Sequence, residues 1–175
     1  MKTIYTDTCK LTDYKPMYKV GEKYVVCFNC NVIKSVQRRK TAITGNNEPY
    51  ETCQYQYMVF STKPSIQTIK NEYEEHVNSI ISKRITTGFI YDKKNIDLST
   101  ENQMNYKAAY DLAMQTNGMN LPYKIKCEMN GKTQYLIFNT VSEITTFYLA
   151  LNKHISKCLE DGWAMKDSID YSIYV

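Results

Sequence analysis

Tyr123-Lys124-Ile125-Lys126-Cys127-Glu128-Met129-Asn130-Gly131-Lys132-Thr133-Gln134-Tyr135-Leu136-Ile137-Phe138 decides the fold class of this chain. Two alternating runs rich in β-branched and aromatic residues flank Asn130-Gly131, a dipeptide that accepts the two positive-φ positions of a type I′ turn at little cost. The runs therefore form an antiparallel hairpin, with Ile125 facing Leu136 and Tyr123 facing Phe138. One apolar row results, and it needs a helix to cover it.

Working outward, the C-terminal flank supplies such a helix. Thr140 and Glu143 spell a capping box, and Ile144, Phe147, Leu151, Ile155 and Leu159 recur at helical spacing. This helix is expected to end near Gly162, with a short turn from Trp163 to Asp170 closing the chain. On the other flank Pro122 closes a loop, and a second helix precedes it. Thr100 caps that helix with Gln103 three residues on, Met104, Ala108, Ala109 and Leu112 form its stripe, and Asn117-Gly118 ends it. Phe89-Ile90-Tyr91 reads as a short apolar piece leading through Asp92-Lys93-Lys94-Asn95 into it. A longer helix starts at Pro64, a favoured first-turn residue, and buries Ile66, Ile69, Tyr73, Val77, Ile80 and Ile81. Lys70, Glu74, Glu75 and Lys83 face water, and Gly88 lies just beyond its end.

The N-terminal half reads differently. Lys23-Tyr24-Val25-Val26-Cys27-Phe28, Asn31-Val32-Ile33 and Tyr55-Gln56-Tyr57-Met58-Val59-Phe60 have strand composition or alternation. Residues around 32–42 and 51–60 should form a hairpin with Thr44-Gly45-Asn46-Asn47-Glu48-Pro49 at its long tip. The expected fold class is α+β, with an antiparallel β half followed by a domain of three helices and a hairpin. The boundaries are an extended arm at 1–20, a β-rich region at 21–63 and an α/β domain at 64–175.

Composition limits what such a chain does. Its 175 residues suffice for one domain with a real core, and 43% hydrophobic with 23% charged residues is ordinary for a globular protein. A net charge of +4 with scattered lysines falls short of a nucleic-acid footprint. The densest basic run, Gln37-Arg38-Arg39-Lys40, reads as a solvated loop or strand end. No apolar stretch approaches a membrane span, and Met1 to Lys10 lacks a signal-peptide layout, so the expectation is a protein made in a cytoplasm. Tyrosine stands out at 16 copies. Its rigid apolar ring and polar tip suit interfaces, which nominates Tyr5, Tyr14, Tyr18, Tyr55, Tyr57 and Trp163 as contact residues. Codon bias accounts equally well for the excess.

Catalytic chemistry finds no foothold. The only histidines, His76 and His154, sit on amphipathic helices as satisfied or surface residues, and no nucleophile elbow, P-loop or dinucleotide-binding glycine motif occurs. Asp92, Asp97 and Glu101 complement a helix start, and Asp161, Asp167 and Asp170 match no calcium loop. Six cysteines in a cytoplasmic protein read as reduced thiols, several of them core residues. Cys27-Phe28-Asn29-Cys30 has the spacing of half a zinc knuckle or a redox pair, with Cys53 as a third ligand if its strand pairs; plain strand residues are the simpler account. No catalytic residue, cofactor or metal is expected.

Residues 71–171 resemble a phage domain family of unassigned function found in tail and tail-fibre gene neighbourhoods. The resemblance rests on Ile80-Ile81-Ser82-Lys83-Arg84, Gly88-Phe89-Ile90-Tyr91, Ile96-Asp97-Leu98-Ser99 and Asn105-Tyr106-Lys107-Ala108-Ala109-Tyr110. The hairpin and Gly162-Trp163-Ala164-Met165-Lys166-Asp167-Ser168-Ile169-Asp170 complete it. The whole chain looks like a virion protein of a crAss-like phage of Bacteroidales. That resemblance implies a non-enzymatic structural component of the tail, collar or fibre-attachment region, made in the host cytoplasm and retained in the virion. It implies a homo-oligomeric ring or repeated copies contacting tail, collar or portal-proximal proteins, without membrane or nucleic acid. The competing expectation is a tail or tail-fibre assembly chaperone absent from the finished particle.

Overall fold

The computed structural model describes residues 2–35 and 50–175, and the fold is α+β. The elements are β1 (Tyr5–Lys10), β2 (Met17–Val20), β3 (Lys23–Ser35), β4 (Tyr50–Phe60), α1 (Ile66–Thr87), β5 (Phe89–Tyr91), β6 (Lys94–Ile96), α2 (Thr100–Gln115), β7 (Tyr123–Met129), β8 (Lys132–Phe138) and α3 (Val141–Asp167). Short 3-10 turns lie at Leu11–Asp13 and Tyr171–Tyr174. The strands make two antiparallel sheets, sheet A in the order β1-β4-β3-β2 and sheet B in the order β5-β6-β7-β8. Two compact units result, Met1–His76 with Lys166–Val175, and Val77–Met165. The change from strand to helix near residues 61–65 is not where they divide, because α1 and α3 each run from one unit into the other.

In the first unit, residues 1–20 are not a free arm. β1 pairs with β4 from Tyr5↔Tyr57 to Lys10↔Thr52, and β2 pairs with β3 from Met17↔Val26 to Val20↔Lys23, so the segment supplies both edges of sheet A. Tyr5, Thr6, Asp7 and Thr8 are all exposed, and an edge strand wet on both faces carries no alternation to read. The expected hairpin is the β3–β4 pair. Its tip residues Thr44 to Pro49 and the basic run Gln37 to Lys40 lie outside the described residues.

β3 is one strand with a bulge. Between Phe28↔Gln56 and Asn31↔Gln54 it carries one extra residue, and Asn29 takes φ 53°. The Asn29 amide donates to Gln56 Oε1 at 2.9 Å and to the Tyr73 hydroxyl at 3.1 Å, which ties the bulge to α1. On that face Val26, Phe28, Met58 and Phe60 are buried, and the Phe28 ring stacks on Tyr73 at 5.1 Å. The C-terminal turn joins them: Tyr174 packs 5.8 Å from Phe28 and donates its hydroxyl proton to the Cys27 carbonyl.

The second unit is a helix layer on sheet B. β7 and β8 pair in the register expected from the turn, including Ile125↔Leu136 and Tyr123↔Phe138. The core joins Phe89, Ile96, Ile125 and Phe138 of the sheet to Tyr106 and Ala109 of α2 and Ile144, Phe147 and Leu151 of α3. Phe89-Ile90-Tyr91 is not a lead-in but the first strand of a second tight hairpin, whose turn residues Asp92 and Lys93 have φ 47° and 61°.

Helix ends differ from the sequence reading by local chemistry. α1 begins at Ile66, not Pro64, because the Ser65 hydroxyl accepts the Thr68 N–H at 3.1 Å. Ser99 rather than Thr100 is the N-cap of α2, and the Asp97 carboxylate accepts the Ser99 N–H at 2.9 Å. The α3 box forms: Thr140 Oγ1 accepts the Glu143 N–H at 3.2 Å, and Glu143 accepts the Asn139 N–H at 2.7 Å. α3 runs through Gly162 to Asp167, so Trp163 to Asp167 is helix and not a closing turn. Gly162 is buried beside Ile81 of α1, where a Cβ would lie 2.8 Å from Ile81 Cγ1. The glycine serves a close helix approach, not a helix stop.

Candidate interaction surface

The face of sheet A opposite Phe28 gathers most of the tyrosines nominated by the sequence. Cross-strand partners share a face, so Tyr5↔Tyr57, Asp7↔Tyr55 and Cys9↔Cys53 point the same way, as does Cys27 opposite Tyr57. Tyr5 stacks on Tyr57 at 5.2 Å, Tyr14 meets the edge of Tyr55 at 5.6 Å, and Tyr55 lies 6.1 Å from Tyr57. The Tyr55 and Tyr18 hydroxyls are hydrogen-bonded to each other. Tyr5, Tyr14, Tyr18, Tyr55 and Tyr57 are thus one aromatic surface, graded from Tyr5, 46% exposed, to Tyr55, 6% exposed. Trp163 belongs to the second unit and is 58% exposed on α3.

A cavity of about 370 Å³ opens within this surface, lined by Cys9, Tyr14, Tyr18, Cys27 and Tyr55, with Asp13, Lys15 and Lys19 also contributing. Burial governs its electrostatics. It pushes the Tyr14 phenol and the Cys27 thiol each up to about 12, and raises Tyr18, Tyr55 and Cys9 as well. These groups are neutral at physiological pH. They offer apolar area and hydroxyl hydrogen bonds, which suits recognition of a protein surface.

The cysteines correct one expectation. Cys30 and Cys53 are disulfide-bonded, with Cα atoms 5.6 Å apart, whereas Cys9, Cys27, Cys127 and Cys158 are free. The β3 bulge is the cause. In a regular strand residues three apart face opposite ways, but the extra residue brings Cys30 onto the face that already holds Cys27 and Cys53. Among the described residues no group of three His, Cys, Asp or Glu side chains is placed to hold a metal ion.

The histidines have structural partners or surroundings. His154 Nε2 lies 3.2 Å from the Arg84 carbonyl oxygen and 3.8 Å from Cys158 Sγ, and burial raises the Cys158 thiol. Burial lowers His76, half-buried on α1. Asp97 is engaged by Ser99 and Asn102, and Asp170 caps the final turn by accepting the Ser172 N–H at 2.9 Å.

These features define an α+β protein whose most distinctive surface is an aromatic sheet face. Its residues 66–174 match the family described as a domain of unknown function, DUF4376, and the chain belongs to that family. No curated protein and no solved structure matches it.

Proposed function

We propose that this chain is a structural protein of a bacteriophage virion, stationed in the tail, collar or fibre-attachment region and assembled in repeated copies through protein–protein contacts. The observation that carries the reading is the aromatic face of sheet A, where five tyrosines share one surface beside the exposed edge strand β1. Rigid amphipathic rings bury large area at small entropic cost, and an unpaired strand edge adds backbone hydrogen bonds to a neighbour. The sequence resemblance to a domain found near phage tail genes, in a crAss-like phage of Bacteroidales, supplies the setting.

The test is peptide mass spectrometry on density-purified particles of the encoding phage, with stoichiometry measured against the portal. Detection at a fixed multiple of the portal supports the reading. Presence in infected-cell lysate and absence from particles overturns it in favour of an assembly chaperone.

A further inference from the structure

A cavity of about 750 Å³ in the second unit lies where sheet B comes apart. β7 is laddered to β8 along its length, yet β6 meets β7 only at Asn95↔Glu128. After Ile96 the chain leaves the sheet, because Asp97 turns it into α2 by accepting the Ser99 N–H. Among the described residues, the edge of β7 from Tyr123 to Cys127 has no strand partner on that side, and all five of these residues line the cavity. An unladdered strand edge presents backbone donors and acceptors at fixed spacing.

We propose that this cleft is a strand-insertion slot that takes an extended segment of a partner protein in which acidic residues alternate with small apolar ones. The pattern follows from the register. Lys124 and Lys126 project to the exposed face of sheet B, with Glu128 beyond them opposite Asn95; the Lys124 ammonium lies 3.9 Å from the Tyr135 ring centroid, and among the described residues neither lysine is ion-paired. Side chains of an inserted strand opposite them lie on the same face, where carboxylates are favoured. The alternate side chains point inward with Ile125 and Cys127, toward a lining that includes Ile96 and Tyr106, all at most 5% exposed. Little room remains there, so those positions take small apolar residues. The inference uses the second unit alone and stands independently of the tyrosine face.

The full chain is titrated by fluorescence anisotropy with a labelled synthetic peptide of about seven residues, alternating Val and Glu, a length that spans the free edge. Controls are the Val/Lys peptide and a Val/Glu peptide N-methylated on alternate backbone nitrogens. Expected are saturable binding of Val/Glu that weakens with salt, a preference of about tenfold or more over Val/Lys, loss on N-methylation, and reversed preference in a K124E/K126E variant of unchanged circular dichroism. Hydrogen exchange should slow at amides within Tyr123–Cys127. The proposal is overturned if Val/Glu fails to bind, if it binds as well after N-methylation or to the charge-reversed variant, or if the cleft takes only a neutral oligosaccharide.

Discussion

Gly162 of α3 and Ile81 of α1 pack so closely that a single methyl group on the glycine would come 2.8 Å from Ile81 Cγ1. The contact makes Gly162→Ala a test of packing against propensity. Alanine favours the helix by about 1 kcal/mol, whereas overpacking costs about 1–3 kcal/mol. The substitution should destabilise the wild type by up to about 2 kcal/mol in urea unfolding. In an Ile81→Ala background the obstacle is gone, and the same change should stabilise.

The link between Tyr174 and the Cys27 carbonyl predicts a second effect. Tyr174→Phe keeps the ring against Phe28 but leaves a buried carbonyl without its donor, at a cost of about 1–2 kcal/mol. Chemical denaturation of Y174F measures it, and an unchanged midpoint would refute the bond's contribution.

Alkaline pH should unfold the protein by linkage. Burial raises Cys27 from an ordinary 9.0, and Tyr14, Tyr106 and Tyr171 from 10.0, each to about 12 in the folded state. The unfolded chain therefore loses these protons first. Their contribution is intact below pH 9.0 and is lost progressively as pH rises toward about 12. Ultraviolet titration should show the buried tyrosinates appearing together with loss of circular dichroism, after the exposed ones.

Thiol labelling separates the cysteines. Cys9, partly exposed, should react first under native conditions, and buried Cys27, Cys127 and Cys158 only on unfolding. Cys30 and Cys53 should remain unlabelled until a reductant is added, and a non-reducing peptide map should show them linked.

The box at α3 gives a local prediction. Thr140→Ala removes the acceptor for the Glu143 N–H and should cost about 1 kcal/mol, read by thermal or urea unfolding.

What the sequence made legible was local. Asn130-Gly131 forces a turn within two residues, and the hairpin and its register followed. Asp92-Lys93 makes an equally tight turn, but neither residue advertises positive φ, so the β5–β6 hairpin was hidden. The α3 terminus was not legible because a glycine that serves a tertiary approach looks the same in sequence as one that stops a helix. The tyrosines could be nominated from their abundance, yet their meeting on one face depends on the β1–β4 register between residues about fifty apart. The Cys30–Cys53 bond depends on a bulge, and a one-residue shift in parity leaves no compositional trace.

The family segment, residues 66–174, carries Tyr73 and Tyr174 but not Phe28, the ring that both of them touch. In this chain the N-terminal sheet supplies the ring on which both of these side chains of the family segment pack. A truncation beginning at residue 66 should accordingly be sticky, and adding residues 1–65 as a separate polypeptide should cure it.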